Sequence, residues 1–295
     1  TGSLFSQFLP DTEGFIMAKR FKTAYIELTN VCNKHCSFCK GTTRSPEFMD
    51  PELFAKAAEE SAPIAEKACL HILGEALLHP NLKTIVETAQ RVSLPLVLTT
   101  NGTLFSSSNA ELLLTHPFRQ LNVSLHSGVS AAELEQILNF SEKAQRSNPE
   151  MYLNLRLWDV CSRNPEYLQA IASRFGTGLT PSDCAEKRFV SLGPRFRLHF
   201  DQSFHWPNLS DPIRPAEGFC RGGIDQFGIL CNGDVTACCL DADGVMNFGN
   251  IQNQSLNSIL FSRRFEQMRN AFHRGIVTEE LCRHCTYRDR FRQNA

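Results

Sequence analysis

Cys32, Cys36 and Cys39 lie within eight residues, in the stretch YIELTNVCNKHCSFCK that runs from Tyr25 to Lys40. Three thiolates on one tight loop can hold three irons of a 4Fe–4S cube and leave the fourth iron open. A zinc knuckle normally brings its cysteines in pairs, and three thiols cannot pair among themselves as disulfides. A second set follows far downstream: Cys220, then Cys238 after seventeen residues, then Cys282 and Cys285 after a gap of 43. Four such ligands can close a second cluster or form a zinc ribbon, and the cysteines alone leave both open. Cys231 and Cys239 are surplus beside this set, so Cys239 can replace Cys238 as a ligand.

The elements that must carry these residues alternate. Tyr25, Ile26 and Leu28 form a strand-like run before the first loop, and Asp50-Pro51 opens a helix over about 51–62. Cys69 to Leu73 reads as a strand ending at Gly74-Glu75, and Pro80 opens a helix to about Val92. Leu96 to Thr100 is a strand that breaks at Asn101-Gly102, followed by a helix near 109–115. Leu121 to Leu125, Met151 to Trp158 and Arg195 to Phe200 are the remaining strands, with helices at 131–146 and from Pro165 to about Phe175. Short apolar strands alternating with helices predict a parallel sheet of βα units. In parallel barrels function gathers at the C-terminal strand ends. The cysteine loop, Gly74-Glu75, Thr100-Asn101, Ser124 to Ser127 and Arg156 all fall there. The stretch 176–215 is rich in prolines and reads as a linker around the last strand. Asn232-Gly233 is a hairpin turn between two short strands, Ser255 caps a helix that stops at Gly275, and a further helix or turn carries Cys282 and Cys285.

Cys32-x3-Cys36-x2-Cys39, with Phe38 before the third cysteine, resembles the signature loop of radical S-adenosylmethionine (SAM) enzymes. The resemblance implies an α/β fold: a partial (β/α)6 TIM-like barrel, followed by a small α+β cluster-binding domain made of a β-hairpin and a helix. It also implies a 4Fe–4S cluster on Cys32, Cys36 and Cys39 whose open iron chelates SAM, and a 5′-deoxyadenosyl radical that takes a hydrogen atom from substrate. Gly74-Glu75 resembles the motif that receives the SAM amino group, Ser124 the ribose contact, and Arg156 suits the SAM carboxylate. Asn101 stands with them at a strand end, and His126 offers a proton-transfer group; each of these also has a plain structural reading. The layout of Cys220, Cys238, Cys282 and Cys285, with Asn232-Gly233-Asp234-Val235 and Gly249-Asn250-Ile251, resembles the twitch module, a shortened SPASM domain, and implies one auxiliary 4Fe–4S cluster. The domains expected are 17–205 for the barrel, 206–219 for a linker and 220–295 for the cluster domain, with 1–16 an extension.

The activity this implies is an oxidoreductase acting on a small molecule or peptide, its auxiliary cluster taking part in electron transfer and a flavodoxin- or ferredoxin-type protein as electron donor. An epimerase with Cys239 as hydrogen-atom donor, an RNA- or peptide-modifying enzyme, and a non-catalytic zinc or iron–sulfur interaction protein are the alternatives. Lys and Arg number 30 against 31 Asp and Glu, which gives no electrostatic reason for nucleic acid or an anionic membrane as the main partner. The arginines spread over 263–292 are either a solvated face or a site for phosphate or an acidic electron donor. No apolar run spans a bilayer and no signal peptide opens the chain, so twelve cysteines are expected to serve metal or redox chemistry in a reducing cytoplasm.

Overall fold

A computed structural model describes residues 20–158 and 165–291; the 1–16 extension, Cys161 and Arg292 lie outside them. Nine strands form one sheet: β1 Thr23–Ile26, β2 Ala68–Cys69, β3 Leu96–Thr100, β4 Phe118–Ser124, β5 Tyr152–Trp158, β6 Phe189–Gly193, β7 Phe196–Asp201, β8 Gln226–Ile229 and β9 Val235–Thr236. Their order is β6-β7-β5-β4-β3-β2-β1-β8-β9. Six strands, β1 to β5 and β7, run parallel in the expected succession. The outer strands β6 and β9 pair antiparallel with their neighbours. This is the expected α/β partial barrel followed by a hairpin-and-helix cluster region.

The helices are α1 Pro51–Ser61, α2 Leu82–Arg91, α3 Ser107–Thr115, α4 Ala131–Ser147, α5 Pro165–Phe175, α6 Asp183–Glu186, α7 Leu256–Leu260, α8 Arg263–His273 and α9 Glu280–His284. Local chemistry starts them where the sequence indicates. Asp50 accepts the Glu52 amide at 2.8 Å ahead of Pro51. At α4, Ser130 and Glu133 form a reciprocal capping box.

β8 pairs in parallel register with β1, from Thr23 opposite Gln226 to Ile26 opposite Ile229. The hairpin of the second cysteine region thereby extends the barrel sheet, and Phe227 meets Phe21 edge-on at 5.0 Å within the core. This joint fixes one cysteine region against the other.

Three elements differ from expectation. The strand from Cys69 to Leu73 is cut to β2, because the chain bends so that the Leu73 amide reaches the Glu27 carboxylate at 3.2 Å. The helix from Ser255 to Gly275 is two helices, since the Ser262 hydroxyl accepts the Phe265 amide at 3.3 Å and starts α8 afresh. Within 176–215 the chain forms α6 and the β6–β7 hairpin, so only its later part is irregular. Cys184, which has no expected role, is disulfide-bonded. Among the described residues no helix is long and apolar enough to cross a membrane.

Candidate active site

The first cysteine loop leaves the C-terminal end of β1 and is closed at its base. Thr29 Oγ1 donates to the Glu47 carbonyl at 2.6 Å, Asn30 Nδ2 to the Ser45 carbonyl at 2.8 Å, and the Met49 amide to the Leu28 carbonyl at 2.8 Å. Inside this Ω-shaped segment the Cys39 amide donates to the Cys36 carbonyl at 3.0 Å. The three thiols turn toward a common space. Burial raises the Cys32 thiol, with the charges of Glu75 and Cys39 adding to it, and burial followed by Cys32 and Cys39 raises Cys36. Cys39 is exposed.

Gly74 and Glu75 press against the root of this loop. Gly74 has φ +74°, and a Cβ there would lie 2.2 Å from the Thr29 carbonyl oxygen and 2.9 Å from that of Val31. The Glu75 amide donates to Val31 at 2.9 Å. The Glu75 carboxylate, 2% exposed, accepts the Asn101 amide at 2.7 Å and the Leu77 amide at 3.1 Å. Burial nevertheless raises its pKa overall, against these bonds and one from Thr100. With three such bonds the carboxylate keeps one lone pair for a further donor. Asn101 Nδ2 donates to Asn33 Oδ1 at 2.8 Å and approaches the Cys32 sulfur at 4.0 Å.

Across the cavity the second set assembles from three places in the chain. Cys238 follows β9, Cys220 precedes β8, and Cys282 and Cys285 sit in and just after α9. Burial pushes the Cys220 thiol up to about 12, with Cys238 and Cys285 contributing. Burial, then Cys220, Cys238 and Cys285, raises Cys282 well above the usual range. Cys285 feels Cys238 as well. Cys239 is not among the main influences on these three; it acts instead on Cys238 and on the Tyr25 hydroxyl. Cys238 is thus the one of the adjacent pair whose charge acts on the other three thiols. N–H groups aim at these sulfurs: Leu240 and the Gln226 amide reach Cys238 at 3.4 and 3.5 Å, and Gly222 reaches Cys220 at 3.5 Å. Such donors tune iron–sulfur thiolates. Cys231 faces away, its sulfur 3.4 Å from Arg44.

Both sets line one cavity of about 480 Å³, together with Phe38, Gly74, Glu75, Asn101, Ser124, Arg156 and Cys239. Among the described residues no group of three or more His, Cys, Asp or Glu side chains is arranged to hold a metal ion. Phe38 packs on His126 at 5.1 Å, His126 stacks on Trp158 at 4.3 Å, and the Arg156 guanidinium lies 4.3 Å over Trp158. His126 is thus held between two rings, with Nδ1 3.2 Å from the Arg156 carbonyl. The downstream arginines form no single face. Arg288 and Arg290 line the cavity, whereas Arg264 pairs with Glu279 at 2.7 Å.

Several wall residues have no motif to announce them. Tyr25, His71, Trp158, Asp201 and Tyr287 line the cavity; the usable signal is that each lies on, or just past, an inward-facing strand end or the last helical turn. The tie between the two regions is equally silent. Glu27, fully buried, receives Arg44 Nη2 on both oxygens at 2.7 Å, the Leu73 amide, and the Cys231 amide at 3.1 Å. Arg44 Nε donates to the Ala242 carbonyl at 2.9 Å. Lys40 and Thr42 bind Asp243 at 2.5 and 2.9 Å. The far end of the first cysteine loop is thereby strapped to the chain just beyond Cys239.

Comparison with known proteins agrees with this arrangement. Residues 26–152 match the radical SAM superfamily, and residues 220–286 match SPASM, an iron–sulfur cluster-binding domain. BtrN in complex with AdoMet and 2-DOIA superposes with a TM-score of 0.61 at 18% identity, over 92% of this chain and 94% of that one. SuiB of Streptococcus suis does so with 0.61 at 14%, over 94% and 75%. A Pyrococcus furiosus protein, described as a tungsten-containing aldehyde ferredoxin oxidoreductase cofactor-modifying protein, is 24% identical over 149 residues, 44% of this chain and 42% of that protein. The match therefore spans about two fifths of that relative's length. The cofactors that go with the two domains are SAM, a SAM-binding 4Fe–4S cluster and auxiliary iron–sulfur binding, and the two cysteine sets lining one cavity suit them. Residues 26–152 of the chain thus form a radical SAM superfamily region, with an iron–sulfur cluster-binding SPASM region over 220–286 behind the barrel.

Proposed function

We propose that the chain is a radical SAM oxidoreductase, with Cys32, Cys36 and Cys39 holding the SAM cluster and Cys220, Cys238, Cys282 and Cys285 holding one auxiliary 4Fe–4S cluster. The observation that carries this reading is the single cavity walled by both cysteine sets. When bound, the two clusters and SAM supply a 5′-deoxyadenosyl radical that removes a substrate hydrogen atom, and an acceptor for the electron left behind.

The chain's own residues position and protect. Glu75 offers a buried carboxylate to the SAM ammonium, a charge-assisted bond strengthened by low local dielectric. Gly74 lets the backbone approach, while Asn101, Ser124 and Phe38 border the same end of the cavity. Trp158, Phe204, Trp206 and Tyr287 form a linked aromatic wall, with ring centroids 5.2 to 6.1 Å apart. Such a wall excludes water and holds substrate against one reacting atom. Barrel 17–205, linker 206–219 and cluster unit 220–295 are the working divisions, and 1–16 is an extension. A flavodoxin- or ferredoxin-type protein would deliver the electron. Proteins of this fold are described with AdoMet and 2-DOIA bound, or with the precursor peptide SuiA, so a small molecule and a peptide both fit the proposal.

Epimerisation is the second reading, favoured by Cys239: it lines the cavity beside Tyr25 and outside the group of four. One experiment separates the two. Reduced holoprotein, SAM and a metabolite-and-peptide extract are incubated in deuterated water and followed by mass spectrometry. The oxidoreductase reading expects a product lighter by two hydrogens, formed in step with 5′-deoxyadenosine and retained by Cys239→Ala. A product carrying one solvent deuterium, lost in Cys239→Ala, would replace it with the epimerase.

A further inference from the structure

The cavity is also lined by a cationic group, Arg156, with His71 and Tyr25 among the same wall residues. Arg156 lies two residues before the end of β5, its guanidinium carbon 4.3 Å from the Trp158 ring centroid. Among the described residues no oxygen accepts a hydrogen bond from that guanidinium. The groups whose charge it feels, after burial itself, are Asp201, Tyr25, Tyr287 and Cys69; none belongs to the 32–39 loop. Nor does Arg156 figure among the main influences on Cys32, Cys36 or Glu75.

His71 lines the same cavity. Its Nδ1 is buried without a hydrogen-bond partner, and its ring meets Tyr25 edge-on at 5.7 Å. Burial and the Arg156 charge push the imidazole down to about 4, which keeps it neutral near pH 7. It therefore does not compete with a second cation for an incoming anion. Asp201, the carboxylate whose charge acts on Arg156, is half exposed and shared with Arg290 at 3.8 Å.

A guanidinium that faces a cavity with no protein acceptor is open to an anionic ligand that supplies one. Its planar fork matches two oxygens of a carboxylate or phosphate, and a ring beneath it leaves the N–H edges free for that contact. We infer that Arg156, with Tyr25 and His71 beside it, seats an oxyanion of the substrate, a carboxylate or a phosphate, and not the carboxylate of SAM. The assignment deepens the proposed function and rests on it for the word substrate. Arg156 then turns an anionic substrate so that its remaining carbons lie between the two cysteine sets.

Equilibrium dialysis of reconstituted holoprotein, at fixed ionic strength, tests this with radiolabelled inorganic phosphate and radiolabelled succinate. One site per chain is expected for at least one of the two anions, and the tighter of them names the substrate group. Arg156→Gln should weaken it by about tenfold or more, the loss of a charge-assisted bidentate contact. Arg156→Lys, which keeps the charge without the fork, should fall between the two. Saturating SAM should change the wild-type affinity by less than about twofold, since an independent site has no coupling. Displacement of the anion by SAM would return Arg156 to the SAM carboxylate. Absence of binding, or unchanged binding in Arg156→Gln, would also overturn the inference. Release of 5′-deoxyadenosine by the same wild-type preparation is read separately; its absence counts against the radical SAM reading and leaves the anion result standing.

Discussion

Glu27→Ala should lower stability by about 3–5 kcal/mol, the cost of leaving a buried cation without its counter-charge. The carboxylate is fully buried and holds Arg44 through two bonds of 2.7 Å, with the Leu73 and Cys231 amides on the same oxygens. Those two amides would lose their acceptor as well, each at about 1–3 kcal/mol when solvent cannot replace it, though the costs overlap. Against a total of roughly 5–15 kcal/mol, the loss takes a large share. Thermal unfolding followed by circular dichroism should show a midpoint lower by roughly 5–15 °C. The paired variant Glu27→Leu/Arg44→Met removes both charges and should be less destabilised than Glu27→Ala, because no lone buried charge remains. A shift in Glu27→Ala equivalent to less than about 1 kcal/mol would mean the pair is not the strap between the two cysteine regions.

Gly74→Ala should disable the SAM end while sparing the other. A left-handed φ costs an alanine about 1–2 kcal/mol. The added methyl would also stand 2.2 Å from the Thr29 carbonyl oxygen, a backbone atom that cannot rotate away. Relief requires the strand end and Val31 to move, and Cys32 is the next residue. Overpacking of this kind costs about 1–3 kcal/mol more. The expected result is roughly half the iron of wild type, retained by the second cysteine set, and no 5′-deoxyadenosine on reduction with dithionite in the presence of SAM. Wild-type iron and undiminished 5′-deoxyadenosine in Gly74→Ala would show that the close approach is dispensable.

What could be read from the letters follows from how far apart the partners are in sequence. Cys32, Cys36 and Cys39 share one loop, so their spacing announces a ligand set without any knowledge of the fold. Gly74-Glu75 ends a strand-like run, and the parallel alternation puts that end beside the loop. The capping residues Asp50 and Ser130 act within three residues of themselves and place their helices closely. Ser262 acts at the same range, yet its cap is hidden inside an amphipathic pattern that runs on through it.

Contacts across the chain were not legible in this way. Tyr25 and Cys239 meet because β8 pairs with β1, and no local pattern encodes that pairing. The same pairing brings the Cys231 amide to Glu27 and puts both Cys238 and Cys239 on the cavity wall. Arg156 carries contacts that no local pattern encodes. Its strand position suits a SAM contact, but its neighbours, Tyr25, Tyr287 and Asp201, come from three other elements. The β6–β7 hairpin was masked by the prolines around it, since only its turn and flanks carry them.

The central claim, two independent cluster sites opening on one cavity, is tested most directly by iron and sulfide content with Mössbauer spectra on anaerobically reconstituted protein. Wild type should hold about eight irons, and the triple variant Cys32/Cys36/Cys39→Ala about four, all in one cube with complete cysteine ligation. A triple variant that holds no iron, or a second site filled by zinc, would contradict the account.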